Sequence, residues 1–450
     1  MNKERIKSGV LIVLIISSIV LAGKVLINKK LWPSGYNFFA NFTRVSKKSD
    51  TSTAAHIAAP IKIIVNTGYQ SSRFDYNRSD EYFSEICEAA DTAFRQAFSQ
   101  GFAKTAISAD EWYAALTAKS IYFSYPCEYS LQTFSQLLGI NCTDSENIVF
   151  SNLIISDTGK VYVENSANGT FFKYMTSNAD IAPIIDRVRD ENNNEESIIN
   201  YSFDLNFDKT FGNEKTLLSP LIPVYSAPVS AEKLVSENPL MRSAGEFDMS
   251  AIEKTLSVFS INPNAVSRYT EADGTLVFVE NNGILKISPD GILDFSASDS
   301  GIRLTQTDSA DLCTTVTALA AFADEINADA DLQKDMTITS SLADSGETEF
   351  TFSYLANGLP VVYQNRDAVS ATVENGRLKK YTQVLRKYIG TNKISDSPTY
   401  IDALDSAISR YQSSMSEIHI TKMYLSYIDD LSIGEKDADW YVAIDNVVAQ

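Results

Sequence analysis

The sequence predicts an α+β protein, an N-terminal transmembrane helix followed by a multi-domain ectodomain of helices packed on antiparallel β-meanders. Three observations predict it. Residues 8–27 form one long apolar span. Farther on, short alternating strands recur in groups joined by turn residues rather than by helices, the pattern of α+β and not of a doubly wound sheet. Stretches of helical periodicity separate these groups.

The span comes first. Ser8 to Gly23 is uncharged and rich in Leu, Ile and Val, and Val25 to Ile27 extend it past Lys24. With Lys24 snorkelling toward the headgroups, the 20 residues match a hydrocarbon core of ~30 Å. Trp32, Tyr36, Phe38, Phe39 and Phe42 follow, as suits a membrane–water interface. A cleaved signal peptide, with Val20 and Ala22 before the cut, is one alternative, but the apolar run exceeds the ~7–15 residues of a signal core. Leu21-Ala22-Gly23 resembles a lipobox, yet Lys24 stands where the lipid-bearing cysteine belongs. The anchor is therefore the preferred reading. Lys3, Arg5 and Lys7 precede the span and Lys24, Lys29 and Lys30 follow it, so basic flanks do not orient it. The short basic start and the acidic remainder favour residues 1–7 as a cytoplasmic end and the bulk of the chain as extracytoplasmic. Leu11, Ile15, Ser18, Ala22 and Val25 share one helix face, and Ser18 with Ala22 forms a small-xxx-small pair. Such a face suits contact with a partner helix; plain anchoring is the alternative.

Residues 28–58 read as a juxtamembrane linker, and three α+β domains are expected at 59–225, 226–305 and 306–450. In the first, Ile61 to Val65 is a buried-strand candidate. Asp80 to Gln100 is an amphipathic helix with Phe83, Ile86, Cys87, Ala90, Phe94, Ala97 and Phe98 on one face. Ser108 to Glu111 reads as a capping box, Ile121 to Tyr125 as a strand and Ser130 to Leu138 as a short helix. A meander follows over 149–175, turning at Asp157-Thr158-Gly159 and Ala167-Asn168-Gly169. A helix at 179–190 and a strand at 198–203 complete the domain. Pro220, Pro223, Pro228 and Pro239 mark a boundary. Beyond it come a helix at 249–259 and a second meander over 275–296. The last domain opens with a helix at 308–326. Strands over 348–374 follow, turning at Asn357-Gly358 and Asn375-Gly376, then a basic helical stretch from Leu378 to Tyr388. A further helix is capped by Ser397, with Ile401, Leu404 and Ile408 as its core stripe. A hairpin of 418–428 with 440–447 ends the chain. The helix-then-meander theme recurs, but without enough identity to make a repeat.

Composition narrows the function. Net charge is −19; residues 1–30 carry a balance of +5, leaving −24 for the rest. So acidic a surface repels phosphate backbones, which excludes nucleic-acid binding. Cys87, Cys127, Cys142 and Cys313 form no C-x-x-C pair, and His56 and His419 are the only histidines, so no structural zinc site is expected. Cys87 reads as a core thiol. His56 falls in the linker, and His419 reads as a solvent-facing strand residue. No nucleophile elbow, Walker A or H-E-x-x-H occurs. Asn327, Asp329 and Asp331 start like an EF-hand loop, but Leu332 and Ile338 replace its Gly and Glu. Asp429, Asp430, Glu435, Asp437 and Asp439 read as a solvated hairpin tip, with a weak Ca2+ site or a contact surface as alternatives. No enzyme activity, cofactor or metal is expected.

Several motifs together resemble the YycH family. They are the opening Met1-Asn2-Lys3-Glu4-Arg5-Ile6-Lys7 with Leu31-Trp32-Pro33 after the span, the stretch Ser260 to Ser296, the stretch Tyr354 to Tyr388, and the closing Tyr424, Tyr427, Gly434 and Trp440. The resemblance spans nearly the whole chain and rests on structural rather than chemical motifs. It implies a non-enzymatic, single-pass cell-membrane protein of two-component signal transduction. Its expected partners are a WalK/YycG-type sensor histidine kinase of cell-wall homeostasis and a YycI-like membrane protein. An envelope binding module for peptide or glycan, independent of a kinase, is the alternative.

Overall fold

The structure, a computed structural model, describes residues 51–445 except 69–71, 100–102, 178, 193–198, 210–215, 243–244, 265, 299, 329–334, 345 and 412–417. The expected membrane span, with Leu11, Ile15, Ser18, Ala22 and Val25, lies outside the described residues. Among those described, no helix is long and apolar enough to cross a membrane.

Eight helices are described: α1 (Thr51–Ile57), α2 (Glu81–Ser99), α3 (Ala109–Thr117), α4 (Leu131–Leu137), α5 (Ala182–Glu191), α6 (Met249–Val258), α7 (Leu312–Ala328) and α8 (Tyr400–Tyr411). The N-terminal unit holds β1 (Lys62–Asn66), β2 (Arg73–Tyr76), β3 (Lys104–Ile107), β4 (Ser120–Ser130), β5 (Val149–Ser156), β6 (Val161–Asn165) and β7 (Thr170–Tyr174). They form one antiparallel sheet in the order β2-β1-β4-β5-β6-β7-β3. Ile63, Ile64 and Val65 of β1 are wholly buried between β2 and β4, which is why this strand is an unbroken apolar run. The apolar face of α2 closes the core, and Phe94 sets its ring edge-on against Phe123 and Phe134, with centroids 5.6 and 5.7 Å away. Capping fixes the start of α3 as the sequence indicates, since Ser108 Oγ accepts from the Glu111 amide; Ser130, expected as the first helical residue, instead caps α4, its Oγ accepting from the Thr133 amide.

A connecting stretch carries β8 (Ile199–Tyr201), β9 (Thr216–Leu218), β10 (Pro223–Tyr225) and β11 (Ser230–Glu237). Beyond it lie β12 (Ser267–Thr270), β13 (Leu276–Glu280), β14 (Gly283–Ile287), β15 (Ile292–Ala297), β16 (Ile302–Arg303), β17 (Met336–Asp344), β18 (Glu347–Ala356), β19 (Leu359–Tyr363), β20 (Val369–Glu374), β21 (Arg377–Val384), β22 (Lys387–Asp396), β23 (Ile418–Asp429), β24 (Gly434–Lys436) and β25 (Ala438–Asp445). Ten of these run in the order β12-β13-β14-β15-β21-β20-β18-β19-β23-β25, with β16 on β21, β17 on β18 and β9 on β23. The pairing is antiparallel except where β23 meets β19 and β9. A small sheet, β22-β11-β24, flanks this large one. Phe259, just after α6, packs against Phe295, Phe322 and Tyr381, tying α6 and α7 to the large sheet.

The structure corrects several expectations. The end of the expected linker is α1, and its Ala54 and Ile57, with Ala58, are buried where α1 meets α4, α7 and β17. Residues 378–388, expected as a helix, are β21 and the start of β22. A β-bulge explains the misleading period. The register of β21 on β20 shifts between Leu378 and Lys380, so buried Leu378 and Tyr381 stand three residues apart on a strand. Helix α8 starts later than expected. Ser397 pairs with Val229 in extended structure, and Thr399 Oγ1 accepts the Asp402 amide at 3.2 Å. The buried stripe accordingly uses Tyr400 and Leu404, while Ile401 is 43% exposed.

Candidate functional site

The N-terminal and C-terminal sheets meet along a cleft. Two cavities lie on it, about 350 and about 480 Å³, and Ile61, Lys62, Pro360 and Tyr424 border both. These sizes fall within the ~300–1,000 Å³ of small-ligand sites.

Polar bolts hold the two sides together. Arg78 stands between β2 and α2 because the 77–80 turn, fixed by Asn77 and Asp80, projects it across the junction. Its side chain is buried, with Nη1 3.3 Å from Asp335 Oδ1 and Nη2 donating to the Ala59 carbonyl and to Thr337 Oγ1, at 2.8 and 3.1 Å. Burial lowers the Arg78 pKa, and the Asp335 carboxylate opposes that shift. Exposed His56 reaches the same carboxylate, Nε2 to Oδ1 3.1 Å. On the wall of the larger cavity, Lys62 sits 3.0 Å from Asp75, and Tyr225 Oη donates to Asp75 at 2.7 Å and also contacts Lys62. Burial pushes the Asp75 carboxyl up. The Lys62 charge and the bonds from Tyr225 and Lys62 outweigh it, so its pKa lies below the ordinary value. Burial and Asp75 raise Tyr225 well above 10, so it acts as a neutral donor and not as a base.

The smaller cavity carries charges of another kind. Its wall mixes hydroxyl and amide side chains with apolar Pro and aliphatic ones, and Tyr122 and Tyr424 supply aromatic faces. Glu164 of β6 lines it without a hydrogen-bond or ion-pair partner among the described residues, and burial raises its carboxyl pKa. Lys422 of β23 stands on the opposite side of the junction. Its ammonium donates to the Pro126 carbonyl at 3.1 Å and meets no carboxylate among the described residues. Sequence reasoning missed both, because an isolated Glu in one strand and Lys in another give no spacing signal. It also missed that Ser219 and His419, 200 residues apart, approach to 3.4 Å. That contact is longer than the ~2.6–3.2 Å of an activated serine–histidine pair. His419 is half-buried rather than facing solvent.

The acidic tip is not a solvated loop throughout. Asp429 is fully buried, 3.2 Å from Lys436 Nζ and 3.8 Å from Arg386 Nε, and accepts from Tyr388 Oη at 2.7 Å. Among the described residues no group of three metal-binding side chains could hold a metal ion. Asn327 is buried and accepts from Gln383 at 2.8 Å, while Asp329 and Asp331 lie outside the described residues. All four cysteines are free thiols, and burial pushes Cys87 up to about 12.

No family model matches the chain, and no curated protein does. Among solved structures, the chain is similar to YycH from Bacillus subtilis, with TM-score 0.58 at 11% identity, over 87% of this chain and 95% of that one. The Bacillus megaterium YpeB C-terminal domain aligns with TM-score 0.23 at 12% identity, over 45% of this chain and 89% of that one, a likeness too weak to argue from. Two helix-bearing units joined across a cleft, with the large sheet closing the chain, thus give this protein the fold of YycH.

Proposed function

We propose that this chain is a membrane-tethered, extracytoplasmic regulator that associates with a sensor histidine kinase and a YycI-like membrane protein and catalyses no reaction itself. The observation that carries this reading is the fold shared with YycH over nearly the full length of both chains. The residue motifs at 260–296 and 354–388 point the same way. Regulation would work by population shift: docking must favour one signalling state of the kinase, since equal affinity for both states changes nothing. Confinement to one bilayer raises effective concentration, and the face of Leu11, Ile15, Ser18, Ala22 and Val25 would pack on a partner helix.

Crosslinking and pull-down from native membranes test the reading, with the full-length chain beside one lacking residues 1–30. Capture of a sensor kinase by the full-length chain, reduced on truncation, is the expected result. Equal capture by both forms would move the contact to the folded region. Absence of any kinase from both would overturn the proposal.

A further inference from the structure

The smaller cavity poses a problem of unmatched charge. Among the described residues, Glu164 enters from the N-terminal sheet with no hydrogen-bond or ion-pair partner, and Lys422 enters from the C-terminal sheet with only a carbonyl. Both line the same cavity, yet no ion pair joins them. The third charged residue on the wall, Lys62, is already neutralised by Asp75. A carboxylate drawn partly out of water without a partner costs stability, so its retention calls for a cationic group from outside. An ammonium near the rim without a carboxylate is the natural complement for an anion. Between them the wall offers hydroxyl and amide groups such as Ser124, Ser151, Asn152 and Thr421, suited to amide N–H and C=O groups. Tyr424 supplies an apolar face.

We propose that this cavity binds a short peptide with free ends, its ammonium on Glu164 and its carboxylate on Lys422. The site takes one end of its ligand from each sheet. A bound peptide therefore bridges the two units and favours the arrangement in which they are closed together. This assignment stands whether or not the chain regulates a kinase.

Equilibrium dialysis of the full-length chain in detergent tests it. One arm uses an equimolar pool of tripeptides with free ends. The other uses the same pool acetylated at the amino end and amidated at the carboxyl end. Mass spectrometry reads what the protein retains. Members of the free-ended pool are expected to be held at least tenfold better than their capped counterparts. Glu164→Gln and Lys422→Met, each verified as folded by thermal unfolding, are expected to lose at least tenfold. Retention of nothing, equal retention of capped peptides, or undiminished retention by both variants would overturn the assignment.

Discussion

Arg78 shows how much one side chain can hold. Its guanidinium is buried and joins Asp335 and Thr337 on one side of the junction to the Ala59 carbonyl on the other. Arg78→Ala leaves the Asp335 carboxylate with exposed His56 alone and strands the Ala59, Pro60 and Met336 carbonyls, and is expected to cost about 3 kcal/mol in urea unfolding. Glu164 should behave in the opposite sense. Its folded-state pKa is raised by burial, so its favourable contribution is complete below the unfolded value of ~4.3 and is lost as pH rises through the folded one. Glu164→Gln is therefore expected to raise Tm at pH 7 and to leave it unchanged below about pH 4. A residue kept for binding at the expense of stability gives that signature. Asp75 has the reverse sign. Its folded pKa is lowered, so its contribution is present above ~3.9 and disappears as pH falls through the folded value.

At the scale of elements, turn chemistry was legible and register was not. Asn357-Gly358 between β18 and β19 is a hairpin turn with both residues at positive φ, +46° and +75°. What the dipeptide did not reveal is where the turn points. A Cβ on Gly358 would fall 2.2 Å from Asn77 Oδ1 and 2.7 Å from the Ser79 amide. The hairpin of one unit thus presses on the 77–79 turn of the other. Gly358→Ala is expected to destabilise by more than the ~1 kcal/mol of backbone strain alone, read as a lower urea midpoint. The bulge between Leu378 and Lys380 is the complementary case, where one inserted residue converted strand alternation into an apparent helical period.

At the scale of the whole molecule, the first described helix and the cleft are close in sequence. Helix α1 directly precedes the strand that carries Lys62, and α1 itself packs on α4 of one unit and α7 of the other. Any displacement of α1 thus reaches both units at the junction. If residues 8–27 span the bilayer, the full-length chain will stay in the membrane pellet after an alkaline carbonate wash. A chain lacking residues 1–30 will appear in the supernatant. Release of the full-length chain by the wash would reject the anchor.

Local information in the sequence determined the α+β class, α2 with its Phe-rich face, the cap at Ser108, and the Gly-bearing turns of the meanders. Each depends on residues within a few positions of one another, so periodicity and φ preference suffice. Tertiary structure decided what joins distant segments: α1 as core rather than linker, β11 beside β22, Asp429 buried among Arg386, Lys436 and Tyr388, and Glu164 facing the same cavity as Lys422. All but the Asp429–Lys436 pair span tens to hundreds of residues. What fixes them is burial of apolar surface and neutralisation of charge across the junction, which exist only once the two sheets have met.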